Sequence, residues 1–356
     1  MKQNALDKLF DPLCQNVPAI CVEMSGNHQG SKQAAINFAR AAKDAGADLL
    51  KLQVYRPDTI TIKSDREDFR LSKDNDWADY GTLYSLYEQA HTPWDWVRTI
   101  FAEANRIKLP VWASPFDPSA VELLEELNCP FYKIASPEIT DLALIETCAR
   151  TGKPVVISTG LASINDLDDA VEVVRNYGSP LMILKCVSAY PTPVEDMNVA
   201  TIPWLREKYG CAVGLSDHTL GAEAAYAATA LGAAMIEKHF RLPDDHSSVD
   251  AGFSMSLDQL PGFKASLSAV HSAIGEATME LPEIAKPSLS GRRSLYIVKN
   301  MKEGEVITND NVRSIRPCFG MAPKYLPVIL GRKVSRDILA GERMTWDLVD
   351  GGKEIQ

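Results

Sequence analysis

Short apolar runs recur through the first three-quarters of the chain, each followed by a longer stretch of helical periodicity. The runs occupy residues 19–24, 49–53, 110–114, 131–136, 154–159, 181–186, 212–217 and 234–239. Apolar residues three and four apart fill 33–45, 92–107, 118–127, 141–150, 164–175, 201–209 and 222–231, and 257–274 follows the last run. Near-continuous apolar strands alternating with helices predict a parallel sheet covered by helices. Eight such units point to a closed (β/α)8 TIM barrel, with an open doubly wound sheet as the alternative. No G-x-G-x-x-G follows the first run, so a dinucleotide fold loses its best support.

Residues 54–93 break this rhythm with a long connection rich in Asp, Arg, Trp and Tyr. Barrel enzymes place substrate-contacting loops in such insertions; the plainer reading is a surface excursion with short helices. After residue 274 the periodicity fades into a Pro-containing linker. The expected division is a barrel over 1–280, a linker over 281–291 and a small β-rich domain over 292–356. Within that last domain strands are expected at 294–298 and 331–334. Segments 301–307 and 338–344 read as two copies of one turn unit.

Composition narrows the function classes. Lys and Arg number 37 against 47 Asp and Glu, a net charge of −10. Non-specific binding to nucleic acid or an anionic membrane wants the opposite sign. An anionic substrate would need cations gathered locally. The seven cysteines are scattered without a C-x-x-C, the usage of reduced cytosolic thiols. Cys21, Cys129, Cys186 and Cys211 read as small core hydrophobes. Residues 1–16 lack the shape of a signal peptide and no apolar run reaches bilayer length, so a soluble cytoplasmic protein is expected.

The chemistry gathers where the apolar runs end, the face on which a barrel builds its active site. Those ends carry Glu23, Lys51 and Gln53, Ser114, Lys133 and Ser136 with Glu138, and Ser158. The remaining ends carry Lys185 with Ser188 and Tyr190, then Ser216 and His218, then Glu237 and His239. Packing does not account for so many polar ends, because buried polar groups cost free energy unless paired. His218 and His239 end adjacent strands, where two neutral imidazoles can share a divalent ion; the bland reading of each is a hydrogen-bonded core histidine. Lys51 and Lys133 with the hydroxyls of Ser114, Ser136, Ser158, Ser188 and Ser216 suit a phosphate or carboxylate. Against this, serines often cap helices, and Ser158-Thr159-Gly160 reads equally as such a cap. Glu23 and Glu138 can act as general base or offset developing positive charge, or simply pair with Lys51 or Lys133. Strand alternation sets Lys238 apart from Glu237 and His239 as a structural lysine, and Lys185 reads as the partner of a core carboxylate. A lysine in a barrel could instead form a Schiff base, which would make the chain a metal-free class-I aldolase. The small domain could equally be a binding or dimerisation module without chemistry.

The motifs as a set resemble the sialic acid synthase family. They are Glu23-Met24-Ser25-Gly26-Asn27-His28, Lys51-Leu52-Gln53, Ser114-Pro115-Phe116-Asp117 and Lys133-Ile134-Ala135-Ser136. Ser158-Thr159-Gly160, Ser216-Asp217-His218-Thr219 and Glu237-Lys238-His239-Phe240 complete them. Arg292-Arg293-Ser294-Leu295-Tyr296 and Ile315-Arg316-Pro317 resemble that family's antifreeze-like (SAF) domain. Residues 83–96, Ser188-Ala189-Tyr190-Pro191 and 249–254 are most similar to the branch that makes pseudaminic acid. The resemblance implies condensation of phosphoenolpyruvate with an acetamido sugar aldehyde, 2,4-diacetamido-2,4,6-trideoxy-altrose in that branch. N-acetylneuraminate and legionaminate synthesis are the alternatives. It implies His218 and His239 as ligands of a divalent metal, manganese in relatives, with magnesium or cobalt as alternatives. Glu23 matches the catalytic carboxylate. Lys51, Ser114, Lys133, Ser136, Ser158, Ser188 and Ser216 match phosphoenolpyruvate contacts, although the family has Asn at Ser188. Gln53, Glu138, Tyr190 and Asp250 match sugar contacts. A homodimer is implied in which the C-terminal domain of one chain covers the barrel mouth of the other and brings Arg316 to the sugar.

Overall fold

The computed structural model describes residues 8–13, 16–73 and 77–352. Eight parallel strands close on themselves: β1 Ala19–Glu23, β2 Leu49–Val54, β3 Val111–Pro115, β4 Tyr132–Ile134, β5 Val155–Ser158, β6 Leu181–Lys185, β7 Ala212–Asp217 and β8 Met235–Arg241. Sequential neighbours pair, and β1 also pairs with β8, which makes a barrel and removes the open-sheet alternative. A two-residue strand, β9 (Met255–Ser256), adds to the end of β8. Nearly every strand residue is buried on both faces, which is why the runs read as continuously apolar.

The helices form because each carries an apolar stripe and a cap. Ile164–Asn176 buries Leu167, Ala170, Val171 and Val174. Its capping box is reciprocal: Asp166 N donates to Ser163 Oγ at 3.2 Å and Ser163 N donates to Asp166 Oδ2 at 2.9 Å. Replacing Ser163 with Ala would cost about 1 kcal/mol. This corrects the reading of Ser158-Thr159-Gly160 as a cap. The cap is Ser163, because the chain leaves β5 through a turn before the helix begins.

The insertion after β2 contains short helices, Pro57–Ile60 and Leu83–Ala90, the second capped by Thr82. At the other end of the barrel Phe10 packs edge-on against Phe131, which packs on Trp112. Five of the described cysteines, including the four expected in the core, are buried, whereas Cys14 lies outside the described residues.

The chain divides into two compact units, Met1–Gly275 and Glu276–Gln356, each with its own apolar cluster. In the second unit Glu283–Gly291 winds into 3₁₀ turns, more order than a plain linker. β10 (Ser294–Ile297) pairs antiparallel with β11 (Val312–Ile315). The strand expected at 331–334 is corrected: Lys333 and Val334 make only isolated bridges, to Val306 and Val349, and β11 is the longer pairing. The two turn copies do meet. Met301 and Ile338 exchange both backbone hydrogen bonds at 2.9 Å. Gly304 N donates to Val334 O, and Gly341 N donates to Ile297 O, the equivalent bond of the other copy. Gly304 and Gly341 take φ values of 79° and 97°, which L side chains resist.

Candidate active site

Alternation along the strands sorts the polar residues into interior layers. Lys51, Lys133, Leu184 and Glu237 come from the even strands, and Glu23, Ser114, Ser158 and Ser216 from the odd strands lie nearer the strand ends. Lys51 Nζ sits 2.6 Å from Glu23 Oε2 and 3.4 Å from Ser114 Oγ. Lys133 Nζ donates to Glu237 Oε1 at 2.8 Å, and Ser216 Oγ donates to the same oxygen at 3.0 Å. Lys51 lies 3.8 Å from Glu237 as well. Two buried ammoniums thus meet two buried carboxylates, and the interior is neutral before any ligand arrives.

The environments push those carboxylates apart. Burial raises Glu23 to about 7, with Glu237 adding to the rise and Lys51 opposing it. Burial also raises Glu237, but Lys133 and Lys51 outweigh it and hold that carboxyl below its ordinary range. Two neighbouring carboxylates with divergent acidities mark a division of labour. Glu237 is the fixed counter-charge, and Glu23 can change protonation near neutral pH. Burial lowers Lys51, yet Glu23 and Glu237 more than offset this and keep it an ammonium. A protonated amine is not a nucleophile, which argues against a Schiff base at Lys51.

Above the layers, hydroxyls crowd around Gly160. Its N–H donates to Ser136 Oγ at 3.0 Å. A Cβ there would stand 2.2 Å from Ser188 Oγ, 2.7 Å from Ser136 Oγ and 3.0 Å from Cys186 Sγ. The nest therefore needs glycine. Ser158 Oγ and Ser188 Oγ are buried without a hydrogen-bond partner, as are Glu23 Oε1 and Glu237 Oε2. Orphaned buried polar atoms converging on one place imply a polar ligand.

His218 and His239 close the same end with ring centroids 5.4 Å apart. His218 Nδ1 lies 2.8 Å from Val187 O, which assigns the proton to Nδ1 and leaves the Nε2 lone pair available. Burial opposes charge on Cys186 and His218, 3.8 Å apart, yet each moves the other toward its charged form; the thiol falls to about 7 and the imidazole rises. Burial and the neighbouring His218 drive His239 well below its ordinary range, and its buried Nδ1 has no hydrogen-bond partner. In the neutral form of His218 its Nε2, with the unpartnered Nδ1 of His239, offers two lone pairs that fit a divalent ion, which would compete with the proton that Cys186 favours on His218. Among the described residues no third His, Cys, Asp or Glu completes a protein metal cluster, so positions for substrate oxygens would stay open. Asp250 stands 3.9 Å from His239 Nδ1 and accepts from Gly26 N at 3.1 Å.

A cavity of about 460 Å³ opens from this end. Gln53, Glu138, Tyr190, His239 and Asp250 reach it. Most of the remaining wall is apolar, and among the described residues it carries no Lys or Arg. Of its aromatic residues, sequence reasoning singled out Tyr190 as a site residue and missed the rest as site residues; they form two groups. Trp77, Tyr190 and Phe253 pack together beside the histidines, with Tyr190 4.3 Å from His218 and Phe253 5.1 Å from His239. Tyr55, Tyr87 and Phe116 form a second group, with centroids 5.2 and 5.7 Å from Tyr55. Trp77 Nε1 donates to Val249 O at 3.0 Å and ties the insertion to the loop after β8.

Two lysines take structural parts. Lys238 points away from the site and pairs with Asp217 at 3.0 Å, as alternation predicts. Lys185 is corrected: it donates to Cys186 O at 2.9 Å and not to a carboxylate, because its outward face offers a carbonyl first. Arg316 follows β11 in the C-terminal unit and is exposed there.

The NeuB family model matches residues 38–279, and a SAF domain model matches 292–350. The chain is 40% identical over 338 residues to the pseudaminic acid synthase of Helicobacter pylori, covering 94% of this chain and 98% of that protein. It is 42% identical over 329 residues to the pseudaminic acid synthase of Campylobacter jejuni serotype O:23/36, covering 91% and 94%. Among solved structures, the N-acetylneuraminic acid synthetase of Leptospira borgpetersenii superposes with a TM-score of 0.67 at 27% identity, covering 78% of this chain and 92% of that one.

Proposed function

The chain belongs to the NeuB family of phosphoenolpyruvate-dependent nonulosonic acid synthases, and we propose from that premise that it makes pseudaminic acid. The second substrate would be 2,4-diacetamido-2,4,6-trideoxy-altrose as its open-chain aldehyde. The wall of the 460 Å³ cavity carries this reading. A sugar with two acetyl methyls and a C6 methyl matches an aromatic and aliphatic surface. A phosphorylated sugar would want a Lys or Arg there, and none lines it among the described residues. No helix among the described residues is long and apolar enough to cross a membrane.

In this reading Lys51 and Lys133 hold the anionic groups of phosphoenolpyruvate, with Ser114, Ser136, Ser158, Ser188 and Ser216 supplying hydroxyls. Gln53, Glu138, Tyr190 and Asp250 contact the sugar. His218 and His239 would hold a divalent ion, manganese by the family resemblance. When bound, such an ion polarises the aldehyde oxygen as a Lewis acid. The C2=C3 electrons of phosphoenolpyruvate form a bond to the aldehyde carbon, whose oxygen takes a proton from solvent. Water adds to the cationic C2 and yields one proton to Glu23, which returns it to solvent and so offsets the proton the alkoxide took. The C2–O bond to phosphate then breaks as the remaining proton of the C2 hydroxyl passes to the departing phosphate, leaving the ketone and free phosphate. Glu237 keeps both ammoniums in place throughout.

We further propose a homodimer in which the C-terminal unit of one chain covers the barrel mouth of the other and Arg316 reaches an acyl group of the sugar.

The test is phosphate release from phosphoenolpyruvate with the altro-configured diacetamido sugar, its legionaminate-series epimer and N-acetylmannosamine in parallel. The first should give the highest kcat/KM. A higher value with either other sugar overturns the reading.

A further inference from the structure

The cavity has two chemically different ends. One group of rings is continuous with the histidines: Trp77, Tyr190 and Phe253 pack on one another and on His218 and His239. The other consists of Tyr55, Tyr87 and Phe116, and its described ring contacts reach His91 and not the histidine pair. Tyr55 is buried at this second end, as is Leu86 beside it. An aldehyde undergoing chemistry at the histidines would leave this box to a part of the sugar away from C1.

The box is not wholly apolar. Glu138 lines the same cavity, and its Oε2 is buried without a hydrogen-bond partner. Its charge reaches the Tyr87 phenol, which burial and Glu138 both hold above its ordinary pKa and hence protonated. A carboxylate oxygen that accepts, a phenol that can donate and an apolar enclosure form a three-part template. An N-acetyl group offers an N–H, a carbonyl oxygen and a methyl, one for each part. A hydroxyl in its place would leave the enclosure empty and one polar partner unmet.

We propose that Glu138 and Tyr87, walled by Tyr55, Phe116 and Leu86, form the subsite for the acetamido group remote from the reacting aldehyde, and so select a diacetamido over a monoacetamido sugar. Glu138 accepts the amide N–H, Tyr87 donates to the acetyl oxygen, and the methyl enters between the rings. This rests on the diacetamido substrate argued above.

The experiment compares kcat/KM for the diacetamido sugar with that for its 4-hydroxy, monoacetamido analogue, in the full-length enzyme and in Tyr87→Phe and Glu138→Leu. Wild type should favour the diacetamido sugar by about a hundredfold, two hydrogen bonds at about tenfold each. Each variant should lower that ratio by about tenfold, the effect of one lost hydrogen bond to the second acetamido group. Tyr87→Phe removes one oxygen and keeps the packing, so it serves if Glu138→Leu folds poorly. No wild-type preference would overturn the function reading and the subsite with it. A wild-type preference that survives within twofold in either variant would overturn the subsite alone.

Discussion

Glu138 should cost the protein stability, and by an amount the structure sets. Burial raises its carboxyl from 4.5 to about 7, Asp141 adds to the rise, and its own backbone N–H and Lys133 only partly oppose it. Between those two values the folded chain keeps the proton and the unfolded chain loses it. The unfolded state then binds fewer protons, so stability falls as pH rises through the window and levels off above about 7. At 1.36 kcal/mol per pKa unit the full penalty is about 3 kcal/mol. Glu138→Gln removes the titration but leaves a buried amide short of partners, costing about 1 kcal/mol. The variant should therefore be about 2 kcal/mol more stable than wild type at pH 8, roughly 5 °C in Tm for a barrel of this size. At pH 5 the linkage term shrinks to under about 1 kcal/mol and the amide cost cancels it. Thermal unfolding followed by circular dichroism from pH 5 to 8, on ligand-free protein in chelator, reads this directly. Parallel Tm curves for the two proteins would refute the raised acidity and the burial argument behind it.

Three further outcomes follow from the site. If Glu23 takes the proton from water as proposed, it must be ionised to do so, and kcat should rise with pH through about 7. Glu23→Gln should lower kcat by about a hundredfold or more and abolish that limb; a variant retaining it would move the titration to another group. Gly160→Ala should raise the KM for phosphoenolpyruvate at least about tenfold, since its Cβ would meet Ser188 Oγ at 2.2 Å, and an unchanged KM would separate the hydroxyl nest from the anion. If each site is shared across a two-fold dimer, refolded mixtures of Arg316→Ala and His239→Ala subunits should regain about a quarter of wild-type activity. Mixtures no more active than their parents would make the site a single-chain one.

Much of the barrel was legible because buried parallel strands leave a simple trace, apolar runs with polar ends. The 212–217 and 201–209 segments match the observed strand and helix, while 131–136 shortens to Tyr132–Ile134 because Ser136-Pro137 starts a 3₁₀ turn. Alternation alone separated Lys238 from Glu237. It could not show that Glu237 binds Lys133, Lys51 and Ser216, since that convergence comes from three other strands. The box of Tyr55, Tyr87 and Phe116 was illegible for the same reason: three distant segments each contribute one ring, with no spacing rule to link them. Ser163 was hidden because Ser158 made an equally plausible cap. β11 escaped because Val312-Arg313-Ser314-Ile315 has an apolar residue only at each end.

The self-neutralised interior also bears on how an empty enzyme waits. Its carboxylates act toward Lys51 and Lys133 as bound counter-ions act in an ion-exchange resin. An anion drawn to these ammoniums would not fill a charged vacancy; it would displace Glu23 from Lys51 while Glu237 stays as the counter-charge of both. The contest is then decided by valence and shape, so a compact multivalent anion can win where chloride cannot. The same exchange lets the barrel fold around two lysines without depending on substrate to complete its electrostatics.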